Sequence, residues 1–308
     1  MTRRLRTRKR HASTLIDILV ALPLIALLGV IAVQLLLSVH RSAIRSDGAL
    51  GATRELRQAT SVLASEIRGL RPRDLVAWAD TAVEFDATVG MGITCAVSAD
   101  RMSIDIVAAD QDAAADVTSN GADALAATWN QPLQPGDRAL ISLAGPTPAD
   151  SIRVVEAVVR TTAAGSACAA SPLAGTRGAN SERIELTAPI PGALAIGSPL
   201  RLIRRTRYSL YRASDGDWFL GRKTLGPSGW DVIQPVAGPL LAARALGMVV
   251  TVRDTTGMPM GNPTSGVAAR VGIALRAPRK AGRATTATIL TDSALIEVAL
   301  RGARGGGE

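Results

Sequence analysis

The sequence predicts an α+β fold: a long N-terminal α-helix, its first half embedded in a membrane, packed on a mostly antiparallel β-sheet domain. Three observations predict it. From Ile18 to Val39 run 22 residues without a charge. A stretch with apolar residues at helical spacing follows, as far as Leu70. Beyond Pro72 the pattern changes to short alternating runs between Gly, Pro, Asn and Asp turns, which is the signature of strands.

Six cations precede the apolar run: Arg3, Arg4, Arg6, Arg8, Lys9 and Arg10. The 308-residue chain has a net charge of +9, but the other 29 basic residues against 26 acids leave only +3. The basicity belongs to residues 1–12, a basic leader, and this argues against nucleic acid as a partner. A helix of the apolar run's length spans about 33 Å, close to the roughly 30 Å hydrocarbon core of a bilayer. A cleaved secretory signal has a shorter apolar region, about 7–15 residues, so a terminus near Ala43 is disfavoured. Cations ahead of the span predict a cytoplasmic N-terminus. The expected location is the bacterial inner membrane, crossed once, with a periplasmic C-terminal domain.

Residues 13–40 are read as a transmembrane or filament-core helix and 41–71 as its amphipathic continuation. In the second segment Ala49, Ala52, Leu56, Ala59, Leu63, Ile67 and Leu70 form one narrow apolar face. Arg54, Arg57, Ser61, Ser65 and Arg68 lie opposite. Gly69 and then Pro72 supply the stop. Residues 72–308 are read as a periplasmic, β-rich globular domain. Its expected strands are 93–97, 101–108, 138–144, 151–161, 182–188, 198–212 (as two runs), 217–223, 247–254, 267–277 and a region in 285–301. Residues 110–127 read as an Ala-rich loop or short helix. Aromatic residues make up only 3% of the chain, so the core must be aliphatic.

The stretch "RHASTLIDILVAL" resembles the N-terminal signature of type IV pilin-like precursors: a basic leader, a small residue, an aromatic, Thr-Leu-Ile-Glu and an apolar helix. Thr14, Leu15 and Ile16 match; Ala12 stands where Gly is usual, Ser13 where Phe is usual and Asp17 where Glu is usual. Further on, "RTRYSLYRASDGDWFLGRK" (205–223), "ALGMVVTVRDTTG" (245–257), "VAARVGIALRAP" (267–278) and "IEVALRG" (296–302) resemble the hairpins and closing strands of PilW-like minor pilins and J-type minor pseudopilins. Gly302 stands where Asn is frequent. The resemblance covers both ends of the chain and leaves 110–200 thinly matched.

That resemblance implies cleavage by a prepilin peptidase between Ala12 and Ser13 and N-methylation of Ser13. It implies an assembly role for Asp17, which would meet the new amine of a neighbouring subunit, each charge offsetting the desolvation of the other. The less favoured reading of Asp17, on the residues alone, is an acid at a helix start at the headgroup level, where the dipole favours it. The implied function is a structural subunit that helps initiate or cap a type IV pilus or a type II secretion pseudopilus. Its implied partners are other pilins or pseudopilins through the N-terminal helix, the prepilin peptidase, an inner-membrane assembly platform and membrane lipid. The implied destination is a cell-surface pilus or a periplasmic pseudopilus. The alternative is a membrane-anchored periplasmic binding module outside any filament.

No catalytic constellation stands out, and the chain is not expected to be an enzyme or to need a cofactor. Its two histidines, His11 and His40, flank the apolar run, which leaves none for a triad or zinc site beyond it. Asp110 and Asp112 lack the further ligands of a calcium loop, so no metal is expected. "SDGD" (214–217) reads as a hairpin turn. Arg201, Arg204, Arg205, Arg207 and Arg212 form one basic cluster near Tyr208 and Tyr211. Solvated edge-strand arginines are preferred over a nucleic-acid patch. Cys95 and Cys168 are the only cysteines. A disulfide between them is favoured over two separately buried thiols.

Overall fold

The computed structural model describes residues 15–107, 128–143, 153–165, 168, 181–192, 194–263, 266–278 and 291–302. They fall into two compact units. Helix α1 (Leu15–Arg68) lies in the first as far as Gly51; the chain from Ala52 to Pro278 and from Thr291 onward forms the second.

In the second unit, α1 buries Leu56, Ala59, Leu63 and Ile67, followed by Leu70. Their spacing of three and four places them on one stripe, while Arg54, Arg57 and Arg68 are exposed. Burying Leu63 and Ile67 completely contributes about 1.5–3 kcal/mol each. The helix stops before Gly69. Arg71 is extended, as expected ahead of a proline, and a single 3-10 turn covers Pro72–Asp74.

The strands are β1 (Leu75–Ala79), β2 (Ala82–Val97), β3 (Ser103–Val107), β4 (Thr128–Trp129), β5 (Arg138–Leu143), β6 (Arg153–Gly165) and β7 (Ser181–Leu186). They continue with β8 (Pro199–Arg212), β9 (Trp218–Gly226), β10 (Gly229–Trp230), β11 (Gln234–Leu240), β12 (Met248–Asp254), β13 (Ala268–Pro278) and β14 (Thr291–Ala299). All pairings between them are antiparallel. One sheet has eleven strands and the other three, in the order β12-β13-β14.

Within the larger sheet β2, β3, β7, β6, β5 and β8 pair in turn, and β8 returns to β2. The ring is closed, so none of its six strands presents a free edge along these pairings. Its interior is filled by Val89, Ile104, Ile141, Val159, Ile184, Leu200 and Leu202, among others. Alternation explains the choice: Leu200 and Leu202, two apart on β8, share the inward face.

β2 and β8 are longer than the ring needs. The first half of β2 stays paired with the second half of β8, from Ala87↔Arg204 to Ala82↔Ser209. There they join β1, β9 and β11 in a layer that faces the three-stranded sheet. Phe85 and Tyr208 from the larger sheet, Val250, Ile273 and Val298 from the smaller, and Leu63 and Ile67 from α1 make a second core. Two strands therefore run through two cores.

These findings correct two expectations. The class is mostly antiparallel β, not an α+β arrangement of a long membrane-embedded helix on one sheet. Fourteen strands are present among the described residues, and the closed ring has a core of its own to which the helix contributes no residue. The expected single-pass location in the inner membrane is also overturned. Among the described residues no helix is long and apolar enough to cross a membrane.

Candidate functional site

Leu27, Leu28, Val30, Ile31, Val33, Leu35, Leu36 and Leu37 of α1 are all exposed, between 44% and 72%. At 3.6 residues per turn these positions reach every side of the helix rather than one stripe. A helix apolar all round is stable only when something surrounds it. Of the residues expected to govern assembly, Ala12 and Ser13 lie outside the described residues. Asp17 lies in α1, but its side chain is outside the description, as is that of His40.

Cys95 and Cys168 are bonded, with Cα atoms 5.3 Å apart and both residues buried. The bond ties residue 168, which stands between β6 and β7, to β2. Among the described residues no group of three or more His, Cys, Asp or Glu side chains could hold a metal ion. Asp110 and Asp112 lie outside the described residues.

The arginines of β8 are where the sequence misleads most. β8 is not an edge strand: it has β2 on one side and β5, then β9, on the other. Arg201 and Arg204 are more than nine-tenths buried. Arg201 donates from Nη1 and Nη2 to Asp74 Oδ1 and Oδ2 at 3.0 and 2.8 Å, and from Nε to Thr88 Oγ1 at 3.0 Å. Arg204 donates from Nε and Nη2 to Asp137 Oδ1 and Oδ2 at 2.6 and 2.7 Å, and from Nη2 to Pro132 O at 2.8 Å. Arg205 pairs with Asp86 at 3.1 Å, and Asp86 also pairs with Arg138 of β5. Arg212 donates to Gly216 O within its own hairpin. These four are committed within the fold and offer no nucleic-acid track.

A polar seam crosses from α1 to the ring. Glu66 of α1 lies 3.5 Å from Arg222 Nε. Arg222 Nη2 and Arg204 Nη1 both donate to Gln131 Oε1, at 3.3 and 3.4 Å. Arg204 then reaches Asp137. Burial pushes the Glu66 carboxyl above its usual range, and Arg222 and the Tyr208 hydroxyl pull it back. Burial, then the charge of Glu66, pushes the Tyr208 hydroxyl far above its ordinary value. Tyr208 is thus held as a neutral phenol, its ring stacked on Phe85 with centroids 6.0 Å apart.

The turn before Asp137 fixes this acid. Gly136 has φ +92°, and a side chain there would meet the Pro227 nitrogen at 2.9 Å. Gly136 N–H donates to Val159 O at 2.9 Å, and Asp137 Oδ2 accepts the Gln134 N–H at 2.8 Å. The sequence reading missed Asp74, Asp137 and Glu66. Their signal was the surplus of arginine in a strand that also carries Leu200, Leu202 and Leu210, since buried charge requires a partner.

No family model matches the chain, and neither a curated protein nor a solved structure matches it. The arrangement itself defines a β scaffold cross-linked by buried ion pairs, joined to a helix that exposes apolar surface on all sides.

Proposed function

We propose that the chain is a structural subunit whose N-terminal helix is buried by the helices of other subunits, in the manner of a minor pilin or pseudopilin that initiates or caps a filament. One observation carries this reading: the exposed apolar residues Leu27–Leu37 surround the helix. A dimer would cover a single stripe, whereas a filament core encloses a helix on every side. The buried ion pairs of the β scaffold support the same reading, because they fasten the turns ahead of β1 and β5 to β8. The junction Ala12-Ser13-Thr14 after the basic leader supports processing by a prepilin peptidase.

Cysteine substitution at Leu28 and Leu37, followed by thiol cross-linking in cells that make the other subunits, tests the proposal. Adducts at both positions are expected, since nine residues at 3.6 per turn put them on opposite sides of the helix. Adducts at neither position, together with an intact Met1 terminus by mass spectrometry, would remove it.

A further inference from the structure

Two adjoining cavities share the walls formed by Arg71 and Arg73. One, of about 410 Å³, is completed by Pro72, Arg301 and Gly302. The other, of about 360 Å³, is floored by Met91, Leu140, Ser142, Pro199, Leu200 and Arg201. The floor is one patch of the ring's outer face, because Met91 and Leu140 both stand opposite Arg201 across β2–β8 and β5–β8.

Charge is unbalanced here. Arg201 is neutralised by Asp74, which is buried. Arg71, Arg73 and Arg301 are exposed. Among the described residues none of the three forms an ion pair, although Arg201 beside them does. Their backbones are nevertheless fixed. Arg71 N–H donates to Asp74 Oδ2 at 2.7 Å, and Asp74 N–H returns to Arg71 O at 2.9 Å. Arg301 N–H donates to Leu70 O at 2.9 Å, which brings the end of β14 beside the end of α1. Three guanidinium groups are thus presented from anchored backbone, which lowers the ordering cost of binding an anion.

The lining decides which anion. Nucleic acid is held by arginine together with aromatic stacking platforms, and neither cavity has an aromatic wall. A lone inorganic oxyanion would leave the apolar floor unused, and Met91 on it is half exposed. Carboxylates suit the forked guanidinium donors, and an aliphatic side chain suits Met91, Leu140 and Pro199. We propose that this cleft binds an acidic segment of a partner protein, with carboxylates on Arg71, Arg73 and Arg301 and a neighbouring apolar side chain on the floor. The proposal is independent of the helix-mediated assembly described above.

Fluorescence anisotropy of the full chain with a fluorescein-labelled peptide of alternating glutamate and leucine, at low ionic strength, tests it. Saturable binding is expected. Affinity should fall about tenfold or more in Arg71→Gln/Arg73→Gln, and similarly when glutamine replaces glutamate in the peptide. Arg244→Gln, at an exposed arginine outside the cleft, should change nothing. Arg301→Gln alone should weaken binding too, and it serves if the double variant fails to fold. Equal affinity for the glutamine peptide, or unchanged affinity in the Arg71/Arg73 and Arg301 variants, would overturn the proposal. So would displacement by inorganic phosphate at the peptide's own affinity, or tighter binding of a single-stranded oligonucleotide.

Discussion

Arg204 and Asp137 form a doubly hydrogen-bonded ion pair at the boundary between two hydrophobic cores. On the inward face of β8, Leu200 and Leu202 fill the ring, whereas Tyr208 and Leu210 belong to the layered core. Arg204 stands between them on the same face, opposite Ala87 of β2. Two charges removed from water sit where apolar packing is interrupted, and each is tolerable only through the other.

Asp137→Ala should accordingly destabilise the protein by about 3–5 kcal/mol, because it leaves a buried guanidinium unpaired. Replacing both partners, as in Arg204→Met/Asp137→Leu, should cost less than the single change. Urea denaturation of the three variants measures this. A double variant no better than Asp137→Ala would assign the loss to the Gln134 N–H that Asp137 also accepts.

Glu66 gives a pH dependence of defined sign. Its folded pKa is raised, so the folded state holds the proton more tightly than the unfolded chain. The stabilisation is fully present below the unfolded value near 4.5 and disappears as pH rises through the folded value. Glu66→Gln should flatten this part of the stability profile and leave the variant the more stable at neutral pH. Thermal melts at a series of pH values above 4.5 would check it; parallel curves for the two proteins would contradict it.

The two ends of α1 should respond differently to the same chemistry. Leu63 is wholly buried and Leu36 is 72% exposed. Leu63→Ala should cost about 2–5 kcal/mol of stability. Leu36→Ala should leave stability within about 0.5 kcal/mol yet weaken incorporation into filaments. Co-purification with other subunits, alongside a melt, separates the outcomes.

Cys95 and Cys168 are 73 residues apart. Closing a loop of that length stabilises a domain by about 4 kcal/mol in the chain-entropy model. Cys95→Ser/Cys168→Ser should lower the denaturation midpoint by a matching amount, and a reductant should affect only the native sequence.

The helix stripe from Leu56 to Leu70 was legible in the sequence because 3.6-residue periodicity is local. Strands with clean alternation, such as β5, β7, β12 and β13, were legible for the same reason. The first half of β2 was not, since "TAVEFDATVG" mixes acids and glycine into a strand whose charged residues meet arginines of β8 and β5. Residues 198–212 read as two runs because Arg204-Arg205 interrupts the apolar pattern. They form one strand, and the partner that makes this possible, Asp137, is 67 residues away. β11 was hidden by Pro235 and Pro239. The fold class was misjudged because ring closure depends on β8 pairing on both sides, which no local pattern reveals. Of the candidate site, the apolar helix residues were visible as a run, while the polar seam and the cleft arginines were not.

The long ladder between β2 and β8 has a mechanical consequence. A tensile load that tries to part the ring from the layered half cannot open a hinge between them, since both halves hold the same two strands. The load instead runs along the continuous backbones of β2 and β8, which their ladder from Ala82↔Ser209 to Ile93↔Pro199 holds in register. Failure should then come as a single high-force event under pulling, rather than as sequential release of two modules.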